Sequence, residues 1–357
     1  MSENKKGFLR LLAFAVIVLL LFSAVSAVFH PKDGKDASGY TQNITMAYRA
    51  EENNTIDIAF IGNSNAYRAF NPSLLWEQHG ITSCSIGAPM MRMDEVYYYI
   101  HDLYKTQSPK VVAVETNCFY SYLQDNETHK QIADGTIPTA AVGINPIAFK
   151  VSYDKEYFEK LLDDLNDAIL SKVAYSASLM KHHDRWRSLE KNDFTNTRQQ
   201  YFFVSKGYLY SDTVKPFGYN GNYMGGKNDE PQKMSKYNLF FFDKLYKLCQ
   251  KHGTTLALVC APCATNWDYQ RHNFVKQLAD DYGVDFVDYN LLPIGIDWKK
   301  DTKDEGTHLN VYGANKVTTE YAKVIVNTYN LSPSELTDKQ KRAWDKDAKR
   351  YHTEIEK

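Results

Sequence analysis

One short segment has the residue types of a displayed serine nucleophile. Gly62, Asn63 and Ser64 follow an apolar run, Ile56–Ile61. An apolar run that ends in glycine and small polar residues is typical of a core strand followed by a tight turn, and this turn would present Ser64. The same pattern also ends ordinary strands, because Asn, Ser and Gly are the usual turn formers.

A second segment, DEGTHLNVYGANKV, contains a candidate base for that serine. A serine hydroxyl becomes a good nucleophile when a histidine takes its proton and a carboxylate orients the histidine. Glu305 and His308 lie three residues apart in a predicted turn before a helix at Gly313, so Glu305 can reach one imidazole nitrogen. Asp304 is a competing acid. The alternative is an ordinary surface pair of a histidine and a carboxylate.

The elements around these segments predict an α/β fold. Short apolar runs alternate with stretches that have apolar residues at helical spacing, and this pattern indicates a parallel sheet covered on both faces. In such sheets ligands bind at the carboxyl ends of the strands, where Ser64 is expected. The four predicted strands are Ile56–Gly62, Val111–Thr116, Thr255–Pro262 and Val284–Asn290.

The alternation breaks in an insertion at residues 118–236, which follows the carboxyl end of a strand. We expect it to fold over the same edge as Ser64 and to shape the cleft as a cap. The predicted organisation is an anchor or signal peptide at 1–29, a tether at 30–55, the α/β domain at 56–330 and a charged, solvated tail at 331–357.

The N-terminus predicts a membrane anchor. Leu11–Phe29 carries no charge and nearly spans a hydrocarbon core. Lys5, Lys6 and Arg10 precede it, so the positive-inside rule places the rest of the chain outside the cytoplasm. Ala24–Ala27 is an alternative signal-peptidase site, but the apolar stretch continues past it, which favours a single-pass anchor.

Composition excludes several other classes of protein. A net charge of -1 with dispersed Lys and Arg argues against nucleic-acid binding. Five cysteines are an odd count and do not form a disulfide framework. Cys260 and Cys263 form a CxxC pattern, which is a local disulfide or two thiols rather than a redox site. The adjacent His182 and His183 would diverge on a helix, so we expect neither a metal site nor a cofactor.

A G-x-S turn after the first strand, with a carboxylate-x-x-His before the last helix, resembles the SGNH (GDSL-like) hydrolases. The similarity extends from about Ile56 to Tyr329 and implies a three-layer, flavodoxin-like fold. Gly87, in GITSCSIGAPMM, matches the family's oxyanion-hole glycine, and Asn117, in VVAVETN, lies near its oxyanion-hole asparagine. The family usually has Asp where Glu305 stands.

Four blocks narrow the resemblance to a membrane-anchored branch related to the teichoic-acid D-alanyl transfer protein and alginate-type O-acetylation proteins. The blocks are GNSNAYRAFNP, GITSCSIGAP, HHDRW and HLNVYGANKVTTEY. Members of that branch often work with a membrane-bound O-acyltransferase. The first and third blocks make Asn65, His183 and Arg185 candidate cleft residues.

The resemblance implies an extracytoplasmic serine esterase or O-acyltransferase that acts on a cell-envelope polysaccharide or teichoic-acid-like polymer. Ser64, His308 and Glu305 would be its triad, and Gly87 and Asn117 would complete the oxyanion hole. A rival interpretation is a catalytically silent glycan-binding or scaffolding partner of a membrane-bound O-acyltransferase.

Overall fold

The protein is represented by a computed structural model. It describes residues 3–29, 45–121, 183–189, 191–195, 204–218 and 222–356. The helices are α1 (Glu3–Phe29), α2 (Ser64–Ala69), α3 (Pro72–His79), α4 (Met93–Leu103), α5 (Lys191–Thr195), α6 (Lys236–His252), α7 (Tyr269–Tyr282), α8 (Val311–Asn327) and α9 (Asp338–Arg350). Shorter 3-10 turns cover Ala47–Ala50, Thr116–Tyr120 and His183–Arg187, and a π turn covers Tyr351–Ile355.

A single parallel sheet organises the domain. Its strands are β1 (Ile58–Gly62), β2 (Ser83–Gly87), β3 (Val111–Glu115), β4 (Thr255–Cys260) and β5 (Asp285–Asp288). Their spatial order is β2-β1-β3-β4-β5, and every neighbouring pair is parallel. This is the flavodoxin-like order, in which the direction of winding reverses between β1 and β3. The predicted α/β fold class is confirmed.

Both faces of the sheet are buried, which makes the domain three-layered. Alternate residues of β1 face opposite sides, because side chains alternate along a strand. Ala59 and Ile61 pack with α4, α6 and α7, whereas Ile58 and Phe60 pack with α2, α3 and α8. The ring of Phe60 stacks on that of Phe70 at 4.4 Å. This two-sided burial explains why the strands are apolar throughout.

Capping residues place the helix ends at the edges of the sheet. Asn71 accepts hydrogen bonds from the backbone N–H groups of Ser73 and Leu74, and Pro72 occupies the first turn of α3. Gly80 ends that helix in the left-handed conformation, with φ of 62°. These signals are readable in the sequence Asn-Pro-Ser and in the Gly that follows His79.

The strand β2 is absent from our sequence prediction. Its residues are Ser83, Cys84, Ser85, Ile86 and Gly87, all buried in the structure. The hydroxyl of Ser85 donates to Phe70 O at 3.0 Å, so the buried polar atom has a partner. Tertiary hydrogen bonding therefore permits a strand that a search for apolar runs overlooks.

The domain extends beyond both predicted boundaries. Residues 45–55, expected as tether, pack on it; the Tyr48 hydroxyl donates to Asp102 at 2.7 Å, and residues 30–44 lie outside the described part. At the other end α9 has one face buried around Trp344, which is 4% exposed. The prediction of a solvated tail is therefore wrong for that face of α9.

A buried lysine joins both extensions to the insertion. Lys206 Nζ forms ion pairs with Glu51 at 2.7 Å and with Asp347 at 2.5 Å, and it lies 4.6 Å from the centre of the Trp344 ring. Its side chain is only 4% exposed. Three segments distant in sequence therefore share one buried cation.

The described parts of the insertion include residues 204–218, which run along the edge that carries Ser64. In this run Leu209 N donates to Tyr67 O at 2.8 Å and Lys215 N donates to Thr302 O at 3.0 Å. Most of the predicted insertion, and so most of the expected cap, lies outside the described residues.

The helix α1 is long and apolar enough to cross a membrane over 22 residues, Lys5–Ser26. A signal sequence has the same length and composition, so both interpretations of the N-terminus fit this helix.

Candidate active site

Ser64 lies at the point where the winding of the sheet reverses. It is the first residue of α2, two residues beyond the end of β1. Asn63 caps α2, because its side-chain oxygen accepts from Asn65 N at 3.0 Å. The turn leaves Ser64 half-buried, while Asn65, a predicted cleft residue, is 5% exposed and belongs to the interior.

His308 joins Ser64 from the loop before α8. Its Nε2 lies 2.7 Å from Ser64 Oγ, across 244 positions of sequence. Its Nδ1 lies 2.6 Å from Asp304 Oδ2. A carboxylate on Nδ1 fixes the tautomer with the proton on that nitrogen, so Nε2 is left to accept the serine proton. The three side chains have the connectivity of a Ser-His-Asp triad.

The acid beside His308 is therefore Asp304, and the predicted contact from Glu305 is wrong. Residues 302–309 form a closed loop: Thr302 and Leu309 pair as an antiparallel bridge, and the other Asp304 oxygen accepts from His308 N at 2.7 Å. Glu305 adopts φ of 61° and is exposed. The left-handed turn at Glu305 directs its side chain to solvent while Asp304 folds back onto the imidazole.

The contacts of Asp304 keep it ionised. Burial by itself would raise its pKa, but the hydrogen bond and charge of His308, with a smaller contribution from Lys303, lower the pKa to about 2. An ionised acid at this position can stabilise the imidazolium that forms when His308 takes a proton.

Gly87, the predicted oxyanion glycine, lies beside the turn that carries Ser64. It ends β2 in register with Gly62, and a Cβ built on it would lie 3.2 Å from Asn63 O. That Cβ would also lie 2.6 Å from Cδ1 of Tyr67, so only glycine fits there. Its role as an oxyanion donor stays a prediction.

Asn117, the other predicted oxyanion donor, is directed to Glu115. Its Nδ2 donates to Glu115 Oε1 at 3.1 Å and its backbone N–H donates to Oε2 at 3.2 Å. Asn117 is 4% exposed, and its Oδ1 is buried without a hydrogen-bond partner among the described residues. The structure therefore places Asn117 at the same edge as Ser64 but does not bring its amide to the Ser64 side chain.

Glu115 is a buried acid at the same edge of the sheet that our sequence analysis missed. It ends β3, is fully buried, and also accepts from Ala261 N at 3.4 Å. Burial raises its pKa to about 8, against three weaker hydrogen-bond contributions that lower it. Its signal in the sequence is a lone acid inside the apolar run VVAVET, where an unpaired charge would be costly.

The remaining cleft candidates lie elsewhere. Arg185 donates to Phe29 O at the end of α1 and forms an ion pair with Asp193 at 2.9 Å. No contact joins Arg185 to the triad in the described part of the chain. His183 begins a 3-10 turn, but its side chain lies outside the described residues.

Cys260 and Cys263 are free thiols in the structure, and both are buried. Burial raises the pKa of each, which opposes thiolate chemistry. Within the described ranges no group of three or more His, Cys, Asp or Glu side chains has an arrangement that could hold a metal ion.

Comparisons with known proteins find little similarity. Neither models of known protein families nor curated proteins match the sequence. One solved structure with a similar fold is described as a "putative acylhydrolase" from Bacteroides fragilis; the match covers 83% of this chain and 99% of that chain, with 11% identity and a TM-score of 0.35. So distant a likeness carries no functional inference, and function must be inferred from the site itself.

Proposed function

We propose that the protein is a serine acyl esterase or O-acyltransferase of the SGNH type, with Ser64, His308 and Asp304 as its triad. The observation that carries the proposal is the continuous chain of contacts from Ser64 Oγ to His308 Nε2 and from His308 Nδ1 to Asp304, at 2.7 and 2.6 Å. A hydroxyl, a base and an orienting acid in that order are the parts that acyl transfer through serine requires.

In the proposed reaction His308 takes the proton of Ser64 as Oγ attacks an ester carbonyl. His308 then gives that proton to the leaving oxygen, and an acyl-serine results. Water or a glycan hydroxyl next loses its proton to His308 and attacks the acyl group. The bond between the acyl carbon and Oγ then breaks, and His308 returns the proton to Oγ, which regenerates Ser64. The backbone N–H groups of Ser64 and Gly87 would stabilise the oxyanion, each by about 3 kcal/mol. Asn117 would have to leave Glu115 to add a third donor.

A cell-envelope glycan or teichoic-acid-like polymer is the proposed substrate, as the family resemblance implies. Half-buried aromatic rings beside the loop that carries Asp304 support a sugar substrate, because such rings are frequent in binding clefts. The rings of Phe217, Tyr223 and Trp298 pack edge to face on one another, and Phe217 also packs against Gly306.

The proposed location is the outer face of the cell membrane, with α1 as a single-pass anchor. The basic residues before its apolar segment support this orientation. Protease added to intact cells should then digest the domain, and the protein should stay with membranes after a salt wash. A soluble form that begins near Val28 would instead indicate a cleaved signal peptide.

A membrane-bound O-acyltransferase is the proposed partner, again from the resemblance. Detergent-solubilised protein should co-purify with such an enzyme from its own cells. Recovery without any acyltransferase, under conditions that keep other membrane complexes intact, would contradict this part of the proposal.

Covalent labelling tests the chemistry most directly. A fluorophosphonate should label the wild-type protein at Ser64, and the same protein should hydrolyse p-nitrophenyl acetate. Ser64→Ala should abolish both signals with an unchanged melting temperature. A folded wild-type protein that neither reacts with the probe nor cleaves the ester, yet binds envelope polymer, would instead indicate the catalytically silent binding partner.

A further inference from the structure

Thr302 lies at the base of the loop that carries Asp304 and His308. It pairs with Leu309 as an isolated antiparallel bridge, and it is fully buried. A hydroxyl in the interior of a protein needs hydrogen-bond partners, because an unpaired buried polar group is costly. The partners of this hydroxyl therefore show which parts of the loop it holds.

The hydroxyl of Thr302 joins two points of the loop. Its Oγ1 donates to the backbone oxygen of His308 at 3.1 Å and accepts from the backbone N–H of Gly306 at 2.7 Å. A hydroxyl has one donor and two acceptor lone pairs, so it can make both bonds at once. Gly306 is buried, and its N–H needs the partner that Thr302 supplies. The hydroxyl thus connects the turn after Asp304 with the backbone of His308.

The turn that follows Asp304 has an uncommon backbone conformation. Glu305 and Gly306 both have positive φ, 61° and 94°. This conformation is unfavourable for a residue with a Cβ such as Glu305, so the surrounding contacts must hold the turn. The bond from Thr302 to Gly306 is one of those contacts. Because the turn determines where Asp304 lies, loss of the bond would move the carboxylate relative to His308.

The insertion holds the same loop from the outside. Thr302 O accepts from Lys215 N at 3.0 Å, and Lys215 O accepts from Glu305 N at 3.1 Å. One residue of the insertion therefore fixes the backbone on both sides of Asp304. With its backbone held in this way, Thr302 presents its hydroxyl to the loop from a fixed position.

We propose that Thr302 is a positioning residue for the triad, whose hydroxyl keeps Asp304 and His308 in the geometry that proton transfer requires. The inference rests on the proposed function. Thr302 acts through the backbone of His308 and through the turn that places Asp304. The contacts of His308 with Asp304 Oδ2 and Ser64 Oγ, at 2.6 and 2.7 Å, leave little room for displacement. A shift of about 1 Å in such a site can lower the rate about a hundredfold.

Thr302→Val tests the proposal because it replaces the hydroxyl with a methyl group and keeps the branched shape of the side chain. We expect kcat for p-nitrophenyl acetate and the rate of fluorophosphonate labelling to fall about ten- to a hundredfold, with little change in KM. Thr302→Ser keeps the hydroxyl and should stay within a few-fold of wild type. The rates are compared at a temperature at which circular dichroism shows each variant folded.

Thr254→Val is the matched control. Thr254 is also buried, and its hydroxyl donates to the backbone oxygen of Pro109 at 2.9 Å. It lies just before β4, at the edge of the sheet opposite the triad. The substitution therefore removes a comparable buried hydroxyl, and both rates should equal those of wild type.

Proton NMR measures the geometry of the loop without any turnover. The proton between His308 Nδ1 and Asp304 should give a resonance far downfield, which His308→Ala assigns by its loss. Thr302→Val should shift or remove this resonance. The corresponding resonance of His272, whose Nδ1 lies 2.7 Å from Asp288, should stay in place and is an internal control.

These measurements separate the inference from the proposed function. If wild-type protein is as unreactive as Ser64→Ala, the proposed function fails, and the His308 resonance alone decides whether Thr302 positions the pair. A shift in Thr302→Val supports that role, and an unchanged resonance overturns it. If wild-type protein is reactive, a Thr302→Val variant with unchanged kcat overturns only the role of Thr302. An equal loss of rate in Thr302→Ser or Thr254→Val would show a general loss of stability and would also overturn it.

Discussion

His308 and His272 each bind an aspartate through Nδ1, at 2.6 Å to Asp304 and at 2.7 Å to Asp288. Both pairs lie toward the carboxyl edge of the sheet, and the second acid ends β5. Their surroundings differ. Nε2 of His308 lies 2.7 Å from Ser64 Oγ, whereas Nε2 of His272 has no hydroxyl partner within the described residues.

The two aspartates also differ in what else they bind. Asp288 accepts from Trp267 Nε1 at 2.8 Å and from both the backbone and side-chain nitrogens of Asn290. It is 6% exposed and ties the loop after β4 to the end of β5. Asp304 keeps a side chain that is 30% exposed and faces His308 and Lys303. A histidine–aspartate pair is thus a structural unit in one place and a candidate base in the other, and the neighbouring serine makes the difference.

The largest expected effect is the loss of activity when the serine or the histidine of the proposed triad is replaced. Ser64→Ala and His308→Ala should each lower kcat for an acetyl ester by about 10⁴-fold or more. His272→Ala is the matched control and should stay within a few-fold of wild type in the same assay. Equal losses at the two histidines would remove the distinction between the pairs.

Substitution of Asp304, the proposed orienting acid, should have the next largest effect. Asp304→Asn removes the charge that stabilises imidazolium and favours the wrong tautomer, so we expect kcat to fall by up to about 10⁴-fold with little change in KM. Glu305→Gln should change kcat by less than about threefold, since that side chain is exposed. Steady-state kinetics with the reverse ranking would return the role to Glu305.

Substitution in the pair of His272 and Asp288 should change stability rather than activity. Asp288→Asn replaces a buried carboxylate that accepts several hydrogen bonds with an amide, whose NH2 group would face other hydrogen-bond donors. We expect this change to lower the free energy of unfolding by about 1–3 kcal/mol. Activity at a temperature where the variant is folded should stay near wild type. Urea denaturation measures the first quantity; a stable variant with lost activity would contradict the structural role.

The smallest expected effect is a change in the stability of the fold with pH. The pKa of Asp304 is about 2 in the folded chain, against 3.8 as the ordinary value, so its ionisation stabilises the fold above about pH 4 and this contribution is lost as the pH falls toward 2. The difference in melting temperature between wild type and Asp304→Asn should therefore be constant above pH 4 and shrink below it. A difference that grows on acidification would have the wrong sign.

Local patterns were sufficient to predict the strand that leads to Ser64, the loop that carries His308 and the class of fold. They could not choose between Asp304 and Glu305, because that choice depends on a left-handed residue and on the bridge that closes the loop. The close approach of the Tyr67 ring to Gly87 was also out of reach, because it joins α2 to the neighbouring strand and no spacing within α2 reveals it.

The same limit applies to the domain boundaries. Charge density predicts exposure, and α9 is highly charged, but a single buried Trp344 and its aromatic neighbour Trp76, 5.5 Å away between ring centres, bind it to the domain. The burial of α9 therefore depends on Trp76, a residue of a distant segment that the composition of α9 does not reveal.

The shared lysine constrains the order in which the chain can mature. Lys206 forms ion pairs with both Glu51 and Asp347, so the domain remains incomplete until the segment around Asp347 has emerged from the ribosome. Contacts between such distant segments form late and slow the folding of a chain. A chain that ends at residue 337 would lose the ion pair with Asp347 and also the Trp344 ring that covers this cation. Such a chain should be digested by protease under conditions in which the chain that contains α9 resists, because the domain is complete only when α9 has packed on it.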